Sequence, residues 1–330
     1  MTLTEEDLIQ LFYYKFTETP LLKRMDAVKD YFIDSWETLK GRNISEDDQE
    51  MLQMKFDKMY TTKDIYTIYN WMLDDCDCDL LPEVPYEKRK LPYEDVFPML
   101  YLKYRLSGGN STHKNIKHLV IDEMQDYSYL QYTILESLFH CRMTILGDRA
   151  QTLDTKQQDV LRFLPKLLGR EIRTIEIKKS YRNTLEIARY AEKVSGVSDL
   201  ELLDRHGKEV VEKTFNTDTE LLDELVCHLK CPRDFETAAL ITTTEEEAFD
   251  LSRLLKLRGI NVSYIDRNSS AFKKGLTVTT FYLAKGLEFD QVFALRGAKE
   301  NPLKNQAEYI CATRALHELY VYEIADSLSK

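Results

Sequence analysis

The sequence predicts an α/β protein, built on parallel β-sheet with helices on its faces and preceded by a helical arm. Three observations predict it. From Lys117 onward, short apolar runs bounded by polar residues alternate with helical stretches, the pattern of strand–helix–strand units. In the first ninety residues the apolar positions recur at three-to-four spacing instead, which is the helical period. Finally, 330 residues with 43% hydrophobic and 31% charged side chains suit two globular domains, or one and a half.

The arm comes first. LIQLFYYKF, MDAVKDYFIDSWETL and the run from Asp47 to Tyr60 carry the helical spacing, and Ser45 with Asp48 three positions on makes a helix start. Tyr13, Tyr14, Phe16, Phe32, Trp36, Tyr66, Tyr69 and Trp71 make the arm rich in aromatics. Packing between helices is the expected use, and an exposed surface that docks on a partner is the alternative. LLPEVPYEKRKLPYEDVFP holds four prolines and reads as a connector.

The strands follow. KHLVID leads into a helix from Ser128 to His140, RMTILGD into one from about Lys156 to Leu168, and TIEIKKS into one from Thr184 to Val194. ETAALITTT, LTVTTF, QVFALR and LYVYE are further strands, with helices near Glu245 to Leu257 and Leu303 to Leu316. In open parallel sheets ligand chemistry gathers beyond the carboxyl ends of the strands, so those ends hold the candidate residues.

Composition narrows the function. The formal charge is −11, of which residues 1–100 hold −10. An acidic arm beside a near-neutral body argues against broad electrostatic gripping of nucleic acid, so any such contact is local. No run approaches the roughly 18 apolar residues of a membrane span, and the acidic N-terminus is unlike a signal peptide; a cytoplasmic protein without a membrane partner is expected. The six cysteines lack zinc-site spacing. Cys76 and Cys78 in DDCDCDL are the one cluster, and reduced thiols are the expected state.

Asp122 and Glu123 stand at the end of the strand HLVI. Phosphoryl transfer to water needs one carboxylate to hold magnesium and another to orient the attacking water. The next strand ends in GDRAQ, where Gln151 supplies an amide able to sense a terminal phosphate. SYRN places Arg182 after a strand and TRA places Arg314 on a helix; arginines suit the charge on a transferring phosphoryl group. A nuclease using Asp122 and Glu123 lacks the further carboxylates a metal site would need.

DEMQD, GDRAQ, SYRN, TVTTFYLAKGLEFD and YICATRA resemble, in order and approximate spacing, motifs II to VI of the UvrD/Rep superfamily 1 helicases. The resemblance runs from about Leu91 to Glu323. Tyr-Ser after DEMQD, KSYRN, YLAKGLEFD and TRALHEL are similar to the helicase IV-like, RNA-polymerase-associated HelD proteins. It implies RecA-like domains: a helical arm over 1–90, a partial first motor domain over 91–170, and a complete second motor domain over 171–330. It also implies that Asp122 binds Mg2+ with Glu123 beside it, that Glu123 is the catalytic base, and that Gln151 meets the terminal phosphate of ATP. Arg182 and Arg314 would stabilise the transferring charge, Glu288 would touch the ribose, and Gln125 would lie near the same crevice. The family's His before AKG is Tyr282 here.

The phosphate loop of such motors, G-x-x-x-x-G-K-S/T, wraps the phosphates in backbone amides and reaches them with its lysine. The one Gly-Lys step is Gly207–Lys208, with Leu202 where the first glycine belongs and Glu209 where Ser or Thr belongs. The expectation is an ATP-dependent DNA helicase or translocase portion that needs an N-terminal half carrying the loop, acts on DNA, and turns over essentially no ATP alone. The alternative is a non-catalytic module that binds RNA polymerase or another partner.

Overall fold

The computed structural model describes residues 4–108, 115–152, 160–169, 171–196, 201–231, 235–269, 274–297 and 302–325. The polar loop after Gly108 and the start of the helix expected from Lys156 lie outside them. The chain clusters into two compact units: Met1–Ile121 with Tyr127–Ile145 and Phe163–Arg170, and Asp122–Asp126 with Leu146–Arg162 and Glu171–Lys330. The segments carrying DEMQ and GDRAQ therefore group with the residues after 171.

The first unit opens with α1 (Glu5–Gln10), extended by a π turn over Leu11–Lys15, then α2 (Leu21–Lys40), α3 (Glu46–Asp57), α4 (Ile65–Asp75) and α5 (Tyr93–Ser107). Side chains fix their starts. Ser45 Oγ accepts the Asp48 N–H at the head of α3, and Asp64 accepts from Tyr66 at the head of α4, as N-caps do. Gly41, at φ 62°, ends α2 in the left-handed region that glycine enters without steric cost. Val28 of α2 packs with Phe12 and Phe56, and Tyr66, Tyr69 and Leu73 of α4 pack with Leu81.

The aromatics of the arm divide between core and surface. Phe12, Tyr66 and Tyr69 are core, whereas Tyr13, Tyr14 and Trp71 are exposed. The connector is shorter than expected: Tyr93–Ser107 is helical despite Pro98 inside it. Pro92 supplies a compatible entry, acidic Glu94 and Asp95 suit the first turn, and the Tyr69 hydroxyl donates to Asp95 at 2.7 Å.

Strand β1 (His118–Ile121) then leads to α6 (Tyr129–Leu138), capped by Ser128, and β2 (Arg142–Ile145). β1 and β2 pair in parallel from His118↔Arg142 to Ile121↔Ile145 as a two-stranded sheet. Ile121 is buried but Val120 is 61% exposed. Helix α7 (Val160–Leu168) crosses the division between the units at Arg162.

The second unit holds the larger sheet. Before it, β3 (Lys179–Ser180) leads to α8 (Leu185–Ser195) and β4 (Glu201–Leu202), and β3 pairs with β4 alone. The strand expected over TIEIKKS is thus reduced to two residues, and Ile175 and Ile177 are exposed. The apolar alternation is present, but among the described residues β4 pairs with Lys179 and Ser180 only, and no strand pairs with residues 174–178.

The main sheet comprises β5 (Val211–Phe215), β6 (Thr237–Thr242), β7 (Ser263–Tyr264), β8 (Gly275–Thr280), β9 (Phe289–Arg296) and β10 (Ala315–Ile324). Its order is β5-β10-β9-β6-β8-β7 and every pairing is parallel. Helices α9 (Asp218–Lys230), α10 (Glu245–Leu257) and α11 (Lys304–Arg314) complete the unit. Alternate residues of each central strand enter opposite cores, the period of two that a pleated strand imposes. Ala239, Ile241, Val292, Ala294, Leu319 and Val321 pack with α8 and α11. Leu240, Phe293, Tyr320 and Tyr322 pack with α9 and α10. With both faces covered, these strands read as continuous apolar runs, and the α/β expectation holds.

Candidate active site

β1 ends where Asp122 and Glu123 begin. Asp122 is exposed, and its Oδ1 accepts the Glu123 N–H at 2.8 Å. Glu123 has φ 53°, a left-handed conformation costing a non-glycine residue roughly 1–3 kcal/mol. The surrounding backbone holds it there. The Met124 N–H donates to Leu146 O at 2.8 Å and the Asp126 N–H to Glu123 O at 2.9 Å.

Gln125 is buried and links two motifs. Its Nε2 donates to Glu123 Oε2 at 2.5 Å, and its Oε1 accepts the Asp148 N–H at 3.1 Å. Asp148 caps the short turn Arg149–Gln151, accepting from Ala150 N on Oδ1 at 2.9 Å. Its Oδ2 takes two donors, Gln151 Nε2 at 3.0 Å and the Tyr309 hydroxyl at 2.8 Å.

Gln151 Oε1 accepts from Arg314 NH2 at 3.2 Å. A continuous chain of hydrogen bonds therefore joins Glu123, Gln125, Asp148, Gln151 and Arg314. Arg314 is 3% exposed and its other acceptors are neutral: Leu287 O at 3.3 Å and Thr313 Oγ1. Among the described residues no carboxylate ion-pairs with it. Burial lowers its pKa first and the nearby charge of Arg182 lowers it further, with Glu123 and Glu288 opposing. A buried guanidinium without a bound anion is costly, and that cost falls when an anionic ligand arrives.

Arg182 and Glu288 stand differently. They are half-exposed and pair with each other, Nε to Oε1, at 2.7 Å. Asn183, beside Arg182, is buried and its Nδ2 donates to Ala312 O at 3.1 Å and Ala315 O at 2.6 Å, fastening the SYRN segment to the end of α11. The structure thus joins Glu123, Gln125, Gln151 and Arg314 through hydrogen bonds and sets Arg182 and Glu288 as a separate pair.

Four residues without an expected role complete the arrangement: Asp148, Asn183, Tyr309 and Lys285. The Lys285 side chain, 8% exposed, pairs with Asp126 at 2.5 Å and donates to Gln151 O at 2.9 Å. Each lies inside a string already quoted from the sequence, within five positions of a residue with an assigned role. Gly207 and Lys208 are occupied structurally. A Cβ on Gly207 would meet Thr184 Cγ2 at 2.5 Å, its N–H donates to Glu186, and Lys208 Nζ donates to the Tyr320 hydroxyl at 2.6 Å.

Among the described residues no group of three or more His, Cys, Asp or Glu side chains is arranged to hold a metal. A hard cation such as Mg2+ asks less, because it takes most of its ligands from phosphates and water; the exposed Asp122 carboxylate fits that mode. No helix among the described residues is long and apolar enough to cross a membrane.

Residues 10–153 match the UvrD/REP helicase N-terminal domain family. The match takes in most of the helical arm, which the motifs alone leave outside. Among solved structures, the chain is similar to the C-terminal domain of a possible DNA helicase from Lactobacillus plantarum WCFS1, at 27% identity and TM-score 0.34, over 44% of this chain and 88% of that one. It is also similar to the PRRSV helicase, at 15% identity and TM-score 0.35, over 78% of this chain and 45% of that one. A third is an Arterivirus nonstructural protein 10 helicase in complex with DNA, at 16% identity and TM-score 0.25, over 35% of this chain and 28% of that one. A comparison with curated proteins returns no match.

Proposed function

From the match of residues 10–153 to the UvrD/REP helicase N-terminal domain, we propose that the chain is the ATP-responding part of a superfamily 1 DNA helicase or translocase of the HelD type. The observation that carries this reading is Arg314, a buried cation that lacks a carboxylate partner among the described residues and is joined through Gln151, Asp148 and Gln125 to Glu123. A polyanion is the ligand such a group is built to accept.

In this reading Glu123 orients and deprotonates water, with Gln125 fixing its carboxylate. Gln151 and Arg314 meet the terminal phosphate, Arg182 adds charge from the rim, and Glu288 is released from Arg182 to the ribose. Asp122 would hold Mg2+, which screens the phosphates when bound. In this reading the phosphate loop is supplied by an N-terminal helicase half, which the engagement of Gly207 and Lys208 in other contacts supports.

Phosphate release tests this. The chain alone is expected to turn over essentially no ATP, and a phosphate-loop-bearing partner to restore turnover. Glu123→Gln in the restored assembly should cost about 10²–10⁴ in rate, the usual contribution of a general base. Full turnover by the isolated chain, or a Glu123→Gln rate equal to wild type, sinks the reading.

The exposed Tyr13, Tyr14, Trp71 and Tyr86 of the acidic arm favour a second reading, a non-catalytic module docked on RNA polymerase. Retention on the polymerase with no turnover in any assembly would select it.

A further inference from the structure

Gln151 is gripped on both sides of its side-chain amide by groups of opposite hydrogen-bonding character. An ionised carboxylate only accepts and a guanidinium only donates, so Asp148 takes the nitrogen end and Arg314 the oxygen end. The Gln151 backbone is held separately, through its carbonyl, by Lys285. What remains is the placement of Asp148 itself, and there Tyr309 enters from α11, on the oxygen that already receives Gln151. Tyr309 is buried. Burial first, and the Asp148 charge second, hold its phenol well above its ordinary pKa of 10.0, so it stays an O–H donor across the usable pH range.

We propose that Tyr309 is a positioning residue whose hydroxyl, acting through Asp148, fixes the orientation of the Gln151 amide and thereby the chain's preference for a nucleoside triphosphate over a diphosphate. The proposal rests on the reading of Gln151 as the group that meets the terminal phosphate. A phosphate oxygen accepts hydrogen bonds only. With the amide fixed, its second N–H and the Arg314 guanidinium are the groups available to that oxygen. An amide free to flip would present its carbonyl oxygen to the phosphate in part of the population and repel it. Tyr309 thus acts through Asp148 and works by removing one of two amide orientations.

The test reads the Gln151 side-chain N–H resonances in the full-length ¹⁵N-labelled chain, assigned by their loss in Gln151→Leu. In Tyr309→Phe, solvent exchange of those protons is expected to quicken about tenfold, the effect of one lost hydrogen bond. Tyr190→Phe, which removes a buried hydroxyl bonded to Glu308 rather than Asp148, is expected to leave them unchanged. Should Tyr309→Phe fail to fold, Asp148→Asn is expected to give the same quickening. Unchanged exchange in Tyr309→Phe, or equal quickening in both tyrosine variants, overturns the proposal. A non-hydrolysable magnesium ATP analogue and magnesium ADP are then added at millimolar concentration to the chain assembled with its phosphate-loop-bearing partner. The ATP analogue alone should shift the Gln151 signals in the wild-type chain, and the difference should vanish in Tyr309→Phe. A wild-type signal that moves with neither nucleotide removes the functional reading of Gln151 and with it the triphosphate preference, while the exchange rates still decide whether Tyr309 orients the amide.

Discussion

Gly147 has no room for a side chain. A Cβ there would sit 2.4 Å from Met124 Cγ, 2.5 Å from Gln125 Oε1 and 2.6 Å from Met124 N. Met124 is buried and its backbone is tied to Leu146, so the neighbours cannot retreat. Gly147→Ala is therefore expected to destabilise by about 1–3 kcal/mol, the range for overpacking a filled site, read as a lower urea midpoint. It should also disturb Gln125, and through it Glu123, so its rate loss in a restored assembly should exceed what stability alone explains. A midpoint equal to wild type would mean that the turn has more give than these distances allow. The sequence offered the glycine and the acidic pair within easy view. Tyr309, Lys285 and Asn183 were invisible as site residues because their partners lie 129 to 161 positions away, and periodicity reports only neighbours along the chain.

At the scale of elements, caps made many helices legible. Ser45 and Ser128 each accept from the residue three positions on, and α10 occupies the span its pattern gave, Glu245–Leu257, closed by Thr244 and Glu247. The failures have different causes. TIEIKKS shows strand-like alternation, but a strand exists only when another pairs with it, and pattern alone does not count partners. β5 and α9 received no expectation, since β5 lies at the sheet edge with three central residues exposed. The loop before β5 is joined to α8 through His206 Nδ1 and Glu186 Oε1 at 2.8 Å. Glu186 raises the His206 pKa above 6.5, so this contribution is complete below pH 6.5 and is lost as pH rises through the folded value. His206 first, with backbone N–H groups, lowers Glu186 from 4.5 to about 2. That contribution is complete above pH 4.5 and is lost as pH falls towards 2. The melting-temperature gap between wild type and His206→Gln should accordingly be widest between pH 4.5 and 6.5 and narrow on either side. A gap that widens above pH 7 would contradict the pairing.

Across the whole molecule, the chain divides into two compact units, each with its own buried clusters. Leu240 is fully buried in the central strand of the larger sheet. Leu240→Ala should cost about 2–5 kcal/mol by leaving a cavity. Calorimetry is expected to show the loss in the transition that melts the parallel sheet, with the helical arm's transition, followed by Trp36 and Trp71 fluorescence, displaced far less. Equal displacement of both would show one cooperative body instead of two. The α/β class and the strand-end carboxylates were legible because apolar runs reveal parallel sheet, and parallel sheet fixes where its loops emerge. Which unit those loops join was not, since it depends on contacts made after folding. The pair β1 and β2 carries a consequence of another kind. Among the described residues no third strand pairs with β1 or β2, and Val120 is exposed, so sheet edge and apolar side chain are presented together, the combination that seeds self-association. In a concentrated stock this pair, rather than the charged arm, is expected to set the colloidal limit, so that the chain's shelf life turns on eight residues beside Asp122 and Glu123.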